Sequence, residues 1–322
     1  MAIEILEAGL ASTIQDLGRS GHYSVGIPPS GAADQFSAIA ANLLVGNPEG
    51  AAVIESPYMG PKIRFTEATV VAVTGATMPT TLNTQSVPQW ESFAVKAGDE
   101  LAFGFLSSGA RVYIAVAGGF DVPSVLGSRS TYSLGGFGGF EGRTLRQGDV
   151  IATGATAAGA VGRVVPERLR PSLSRDVDLR VVLGPYDYRL TPAGLDCLLD
   201  SEWTLTPVAD RTGFRYSGPA LEWVDRVQPF GAGSDLSNIV DTGYPIGSIQ
   251  VPGGVEPIIL HRDAVTGGGY AMVATVISVD MDVVAQSSPG ARTRFRAVSL
   301  DDAIQARGAA RQVRAELRRS SE

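Results

Sequence analysis

Cysteine, histidine and lysine are nearly missing from this 322-residue chain, and each scarcity closes off some chemistry. The one cysteine, Cys197, excludes an intramolecular disulfide framework, and no second thiol or histidine stands near it at metal-ligand spacing. A reducing, cytoplasmic environment is expected. His22 and His261 are far apart and have no carboxylates spaced to complete a metal site, so neither is assigned a catalytic or metal role. Lysine occurs only at Lys62 and Lys96, which leaves arginine as the main cation. There is no apolar run of membrane-spanning length, and the start, Met-Ala-Ile-Glu-Ile-Leu-Glu, has no basic n-region, so a soluble, unexported protein is expected. A net charge of -7, with only the C-terminal tail basic, argues against a nucleic-acid surface. No G-x-S-x-G elbow and no Cys-His pair is present, which argues against self-contained nucleophilic hydrolysis.

Glycine and proline are plentiful. With 39 glycines and 19 prolines the chain reads as many short strands joined by tight turns, mainly β, and it is long enough for two domains. Strands are expected at Ile3 to Leu6, Val53 to Glu55, Lys62 to Phe65, Thr69 to Val73, Phe93 to Val95 and Arg111 to Ala117. Phe36, Ile39, Ala40, Leu43 and Leu44 recur at helical spacing before Gly46, which can close the helix. Asp34 stands at that helix's start, where its carboxylate either favours the N-terminus or serves catalysis. The run Gly127 to Tyr132 and the glycine-rich run Gly135 to Arg143 have backbone donors and two arginines for an anion, or form a structural loop. They match no phosphate-loop pattern.

Between Ala152 and Asp178 the composition shifts to Gly, Ala, Pro and Arg, marking a boundary between two halves. Beyond it, strands are expected at Leu179 to Leu183, Trp203 to Val208 and Ala274 to Val279. Thr191-Pro192 reads as an N-cap followed by proline at N1, opening a short helix on which Cys197 is a small buried hydrophobe. Arg211 and Arg215, flanking Gly213, either clamp a carboxylate or phosphate or sit in ordinary ion pairs. The stretch Gly243 to Tyr270 alternates apolar runs with bare glycine turns: an Ile-Gln-Val strand ending at Pro252-Gly253, then a Pro-Ile-Ile-Leu strand leading to Asp263 and a triple glycine. It strands Gln250, Asp263, Thr266 and Tyr270 beside exposed backbone, and Gln286 offers a further partner. Such a set suits positioning and oxyanion stabilisation better than covalent catalysis. Ser299 and Asp302 look like a cap for a final helix from Leu300 to about Arg318.

Several separated motifs resemble one family. Gly9-Leu10-Ala11-Ser12-Thr13-Ile14-Gln15-Asp16-Leu17-Gly18-Arg19, Ser30-Gly31-Ala32-Ala33-Asp34, Ala41-Asn42-Leu43-Leu44-Val45-Gly46-Asn47 and Glu55 are similar to the N-terminal signature of the biotin-dependent carboxyltransferase family. That family is also called allophanate hydrolase subunit 2, KipA-like, or the 5-oxoprolinase C subunit. Gly127-Ser128-Arg129-Ser130-Thr131, Gly142-Arg143, Asp210-Arg211 with Gly213 and Arg215, Gly247-Ser248-Ile249-Gln250-Val251-Pro252, and Asp263 with Thr266, Gly268, Gly269 and Tyr270 continue the match in order.

The resemblance implies a cyclophilin-like β-barrel architecture in two halves with a few short helices. We expect an N-terminal β-rich half over 1–160, a linker over 161–178, a barrel half over 179–298 and a helix or tail over 299–322. It also implies a KipI-like protein, the B component of the enzyme, as partner in a heterodimer or heterotetramer, with a hydrolase A component possible. The activity implied is cleavage of 5-oxoproline to glutamate with ATP bound in the complex. The alternatives are transfer of CO2 from carboxybiotin to urea or a related amide, and a non-catalytic KipA-like role antagonising a kinase inhibitor. No Met-Lys-Met sequence surrounds Lys62 or Lys96, so any biotin arrives on another chain. On this reading Asp263, Tyr270 and Gln250 are catalytic, while Thr266, Gly268, Gly269, Arg211, Arg215, Gln286, Arg129 and Ser128 bind the amide substrate. The chain departs from the family where Asp241-Thr242-Gly243 stands for Ser-Glu-Gly, Val265 for a glutamine and Ala271 for a proline.

Overall fold

The computed structural model describes residues 1–155 and 160–320, so 156–159 of the expected boundary stretch, and 321 and 322 of the tail, lie outside the described residues. The chain forms two compact units. Unit 1 is Met1–Ser20, Ser30–Leu173 and Gln312–Glu322; unit 2 is Gly21–Pro29 and Ser174–Arg311.

Unit 1 contains β1 (Ala2–Glu7), β2 (Thr13–Gln15), α1 (Gln35–Leu44), β3 (Val53–Pro57), β4 (Lys62–Phe65), β5 (Thr69–Thr77), β6 (Thr80–Leu82), β7 (Gln85–Ser86), β8 (Ser92–Val95), β9 (Glu100–Phe103), β10 (Ser108–Val116) and β11 (Val150–Ala152). They build a six-stranded sheet, β11-β1-β4-β9-β6-β7, and a five-stranded sheet, β2-β3-β10-β5-β8. Ile3, Ile5, Ile63 and Phe65 of the first pack against Ile14, Ile54, Val71, Val73, Ile114 and Val116 of the second. The other face of the second sheet, with Val53, Val70, Ala72, Tyr113 and Ala115, is covered by α1. Burial on both faces is why β5 and β10 read as near-continuous apolar runs rather than alternating ones. Val165 and Leu169, within the stretch expected as a linker, are buried against the α1 layer.

A polar row runs across this α1 face. Thr13, Glu55, Tyr113 and Thr74 stand opposite one another on β2, β3, β10 and β5. Tyr113 Oη donates to Glu55 Oε2 at 2.8 Å and accepts from the Asp34 amide at 2.8 Å, while the Ala33 amide donates to the same carboxylate at 2.7 Å. Asp34 in turn caps α1, accepting from the Ser37 amide at 2.9 Å. Of the two roles open for Asp34, the geometry shows the helix cap. Burial pushes the Tyr113 hydroxyl well above the usual phenol range, with Glu55 and Asp34 adding to the effect.

Unit 2 contains β12 (Asp176–Leu183), α2 (Pro192–Asp200), β13 (Trp203–Ala209), β14 (Gly213–Ser217), β15 (Asn238–Gly243), β16 (Ser248–Gln250), β17 (Ile258–Leu260), β18 (Gly267–Tyr270), β19 (Met272–Val276), α3 (Met281–Gln286), β20 (Arg292–Ala297) and the start of α4 (Leu300–Ser320). Seven strands close a barrel in the order β12-β19-β16-β17-β14-β13-β20. Leu179, Val181, Trp203, Phe214, Tyr216, Ile249, Ile259 and Phe295 fill its core. The expected caps are present: Thr191 Oγ1 accepts from the Gly194 amide at 3.0 Å, and Ser299 Oγ accepts from the Asp302 amide at 3.1 Å. Among the described residues no helix is long and apolar enough to cross a membrane.

Tyr113→Phe keeps the ring and removes the hydroxyl, leaving a buried carboxylate and the Asp34 amide each short of a partner. The expected loss is about 1–3 kcal/mol, read as a lower urea midpoint at unchanged m-value.

Candidate functional site

The stretch expected to turn on three glycines contains a strand instead. Gly267–Tyr270 is β18, paired with β15 in a two-stranded ribbon apart from the barrel, with Thr242 opposite Gly268 and Gly243 opposite Gly267. None of the three glycines has a positive φ. Their use is space: a Cβ on Gly268 would lie 3.0 Å from the Tyr244 ring, and one on Gly269 3.2 Å from the Ile239 carbonyl oxygen.

Tyr244 is the ribbon's template. Its hydroxyl donates to the Tyr270 carbonyl at 2.8 Å and accepts from the Tyr270 amide at 2.6 Å. The ladder shifts register between the Asn238–Tyr270 and Thr242–Gly268 pairs, and the phenol supplies both hydrogen bonds to the backbone of Tyr270 beside that shift. Tyr23 Oη donates to the Tyr244 carbonyl at 2.7 Å, tying residues 21–29 to the same place. Burial raises the Tyr244 hydroxyl above the usual phenol range, so it keeps the proton it donates. Neither tyrosine belongs to the sequence-based set. The available signal for Tyr244 was an aromatic directly after Gly243, inside the glycine-framed stretch.

On the barrel, Asp263 and Arg211 form a two-point pair. Arg211 Nε donates to Asp263 Oδ2 at 2.7 Å and Nη2 to Oδ1 at 3.2 Å, while the Asp263 amide donates to the Arg211 carbonyl at 2.9 Å. Both side chains are largely buried. Arg215 pairs with Glu256 at 3.0 Å. Both arginines expected as anion clamps therefore hold internal carboxylates, the second of the two readings open for them.

Gln250, on β16, is buried, and its Oε1 accepts no hydrogen bond from the described residues. It stands opposite Met272, two residues beyond Tyr270. Thr266 is half-buried, and its carbonyl accepts from the Tyr244 amide at 2.9 Å. Gln286 is buried at the end of α3. Tyr270 is exposed.

Ser128 and Arg129 lie in unit 1. Ser128 Oγ, Ser130 Oγ and the Gly18 amide converge on Asp16 Oδ1 at 2.6, 2.5 and 2.7 Å, and the Arg129 amide donates to Oδ2 at 2.6 Å. One carboxylate thus joins two family motifs. Arg129 Nε donates to the Val122 carbonyl at 2.9 Å, and its side chain borders a cleft of about 590 Å3 with Gly118, Gly119, Phe120 and Asp121. The adjacent glycine-rich loop is filled by its own chain. A Cβ on Gly138 would lie 2.1 Å from the Ser130 oxygen, one on Gly139 1.8 Å from Thr131 Oγ1, and Arg143 pairs with Glu141 and Asp149. This packing does not fit the phosphates of ATP. Among the described residues no group of acidic, histidine or cysteine side chains is arranged to hold a metal.

A family model described as "Carboxyltransferase domain, subdomain A and B" matches residues 25–297. The chain belongs to this biotin-dependent carboxyltransferase family. Among curated proteins, the urea amidolyase of Saccharomyces cerevisiae is 36% identical over 310 residues, covering 93% of the chain and 17% of that relative. The C subunit of the Escherichia coli 5-oxoprolinase is 34% identical over 306 residues, covering 95% of the chain and 94% of the relative. Among solved structures, the K. lactis urea amidolyase superposes with a TM-score of 0.93 at 33% identity, over 98% of this chain and 20% of that one. The chain thus spans about a fifth of the length of these urea amidolyases. The family's barrel architecture is the one described above.

Tyr244→Phe removes both hydrogen bonds to Tyr270 while leaving the ring that shapes Gly268. Amide hydrogen exchange at Gly267–Tyr270 is expected to quicken about tenfold or more, with the barrel strands unchanged.

Proposed function

We propose that this chain is the C subunit of a 5-oxoprolinase-type enzyme, acting with a KipI-like B component and a hydrolase A component to open the ring amide of 5-oxoproline. The observation that carries an amide-directed reading is the buried Gln250 Oε1, a hydrogen-bond acceptor without a donor among the described residues. A buried acceptor of this kind matches an amide N–H and is costly to leave unmatched. The choice of amide rests on the 5-oxoprolinase relatives of Escherichia coli and Haemophilus influenzae, each matched over 94% of its length.

In this reading Gln250 accepts the lactam N–H. The Arg211–Asp263 ion pair fixes the backbone before β14 and after β17 in one arrangement. Thr266, Gly268, Gly269 and Tyr270 shape the substrate's surroundings through the ribbon that Tyr244 fixes. ATP serves the complex and is not assigned to residues of this chain.

A second reading has a specific observation in its favour, the TM-score of 0.93 to the K. lactis urea amidolyase. Here the chain acts in carboxyl transfer from a biotin carried on another chain to urea, and Gln250 meets a urea N–H.

The complex reconstituted with the A and B components is to be assayed for ATP-dependent glutamate release from 5-oxoproline, and in parallel for urea carboxylation with a biotin carrier. Turnover of 5-oxoproline is expected, with kcat/KM falling about 10- to 100-fold on Gln250→Leu while assembly of the complex is kept. An intact complex with no turnover of 5-oxoproline rejects the first reading. Tight partner binding that survives Asp263→Asn and Arg211→Ala, with no turnover of either substrate, points to the KipA-like regulatory role.

A further inference from the structure

Unit 2 carries a groove of about 470 Å3 between the barrel wall and the first turns of α4. Val182 of β12, Ile246, and Thr275 and Val276 of β19 line one side, and Leu300, Ala303 and Ile304 of α4 line the other. Those three α4 positions have the i, i+3, i+4 spacing of a helix face turned toward a core. That face is left wet: Leu300 is 64% exposed and Ile304 50%. Exposed apolar surface of this sort, concave and bounded by charge, is characteristic of protein interaction sites.

The charge at its end is distinctive. Arg307 is the one charged side chain in the lining, and Arg311 follows a turn later on the same side of the helix. Neither makes an ion pair among the described residues, and both are exposed. On the neighbouring strands of the same barrel Arg180, Arg292, Arg294 and Arg296 are each paired with Asp or Glu. Arg307 and Arg311 thus place two exposed cations, without ion-pair partners among the described residues, beside the apolar groove.

We propose that the groove docks an amphipathic segment of the KipI-like partner, whose apolar side chains cover Leu300 and Ile304 and whose acidic side chain meets Arg307 and Arg311. The floor selects apolar groups because it offers no other charge. The arginines set direction along the groove, since an acidic group at the opposite end meets no cation of the lining. The inference rests on the reading that this chain works beside a second protein.

The test measures the affinity of this chain for the KipI-like partner by interferometry, with melting temperature recorded for each variant. Ile304→Asp with Arg307→Glu is expected to weaken binding by about tenfold or more, and Gln305→Ala, off the groove, to leave it unchanged. Arg307→Ala and Arg311→Ala, which keep the apolar wall intact, are expected to flatten the salt dependence of the wild-type affinity. If the wild type binds and all these variants bind equally with the same salt dependence, the groove assignment is wrong and the two-protein reading stands. If the wild type itself does not bind the KipI-like partner, the two-protein reading falls and the groove assignment falls with it.

Discussion

Closure of the seven-stranded barrel is the constraint on which the candidate site depends. β12 runs parallel to β20 in continuous register from Asp176–Arg292 to Val181–Ala297, and the other neighbouring pairs around the ring are antiparallel. A closed ring has no free edges and leaves its strands little freedom to slide. Gln250 on β16 is therefore fixed by its ladder, while Arg211 and Asp263, just outside β14 and β17, are held to each other by backbone and side-chain hydrogen bonds. The Arg211–Asp263 pair adds a local lock, since removing one partner of a largely buried ion pair costs about 3–5 kcal/mol.

Most of the regular structure was legible because its signals are local. The helix stripe of α1, the Thr191-Pro192 start of α2 and the Ser299–Asp302 cap each lie within a few residues, and the structure contains all three. The strand β18 was not legible: Gly267, Gly268 and Gly269 have neither apolar alternation nor β-branching, and they are extended through pairing with β15, with Tyr244 bonded to the next residue, Tyr270. The contacts that decide the arginines' roles were also out of reach. Arg211 and Asp263 are 52 positions apart, and Asp16 and Ser128 are 112 apart, with no periodicity to connect them. The resemblance covers those separations only because it brings distant motifs under one pattern.

Seen in the fold, much of that pattern serves packing. Asp16 gathers the Gly18 and Ser128–Ser130 segments, Glu55 and Asp34 hold the start of α1, and Gly138 and Gly139 let a loop lie on Ser130 and Thr131. These hydrogen bonds and close approaches give those motif residues a role in packing. Gln250 Oε1, like Ser30 Oγ of the Ser30–Asp34 motif, is a buried polar atom without a hydrogen bond from the described residues. The departures Asp241 and Val265 are exposed on or beside the ribbon, where they change its surface and leave its ladder intact.

The Tyr244 hydroxyl acts on Tyr270 as both donor and acceptor, and only a neutral phenol can do both. The geometry of the glycine ribbon is thus tied to one proton. With the folded pKa raised above 10.0, that contribution is complete at neutral pH and is lost as alkalinity rises through the raised value. The ribbon has an alkaline limit of its own, set by a side chain that touches the backbone of a candidate site residue instead of the reacting atoms.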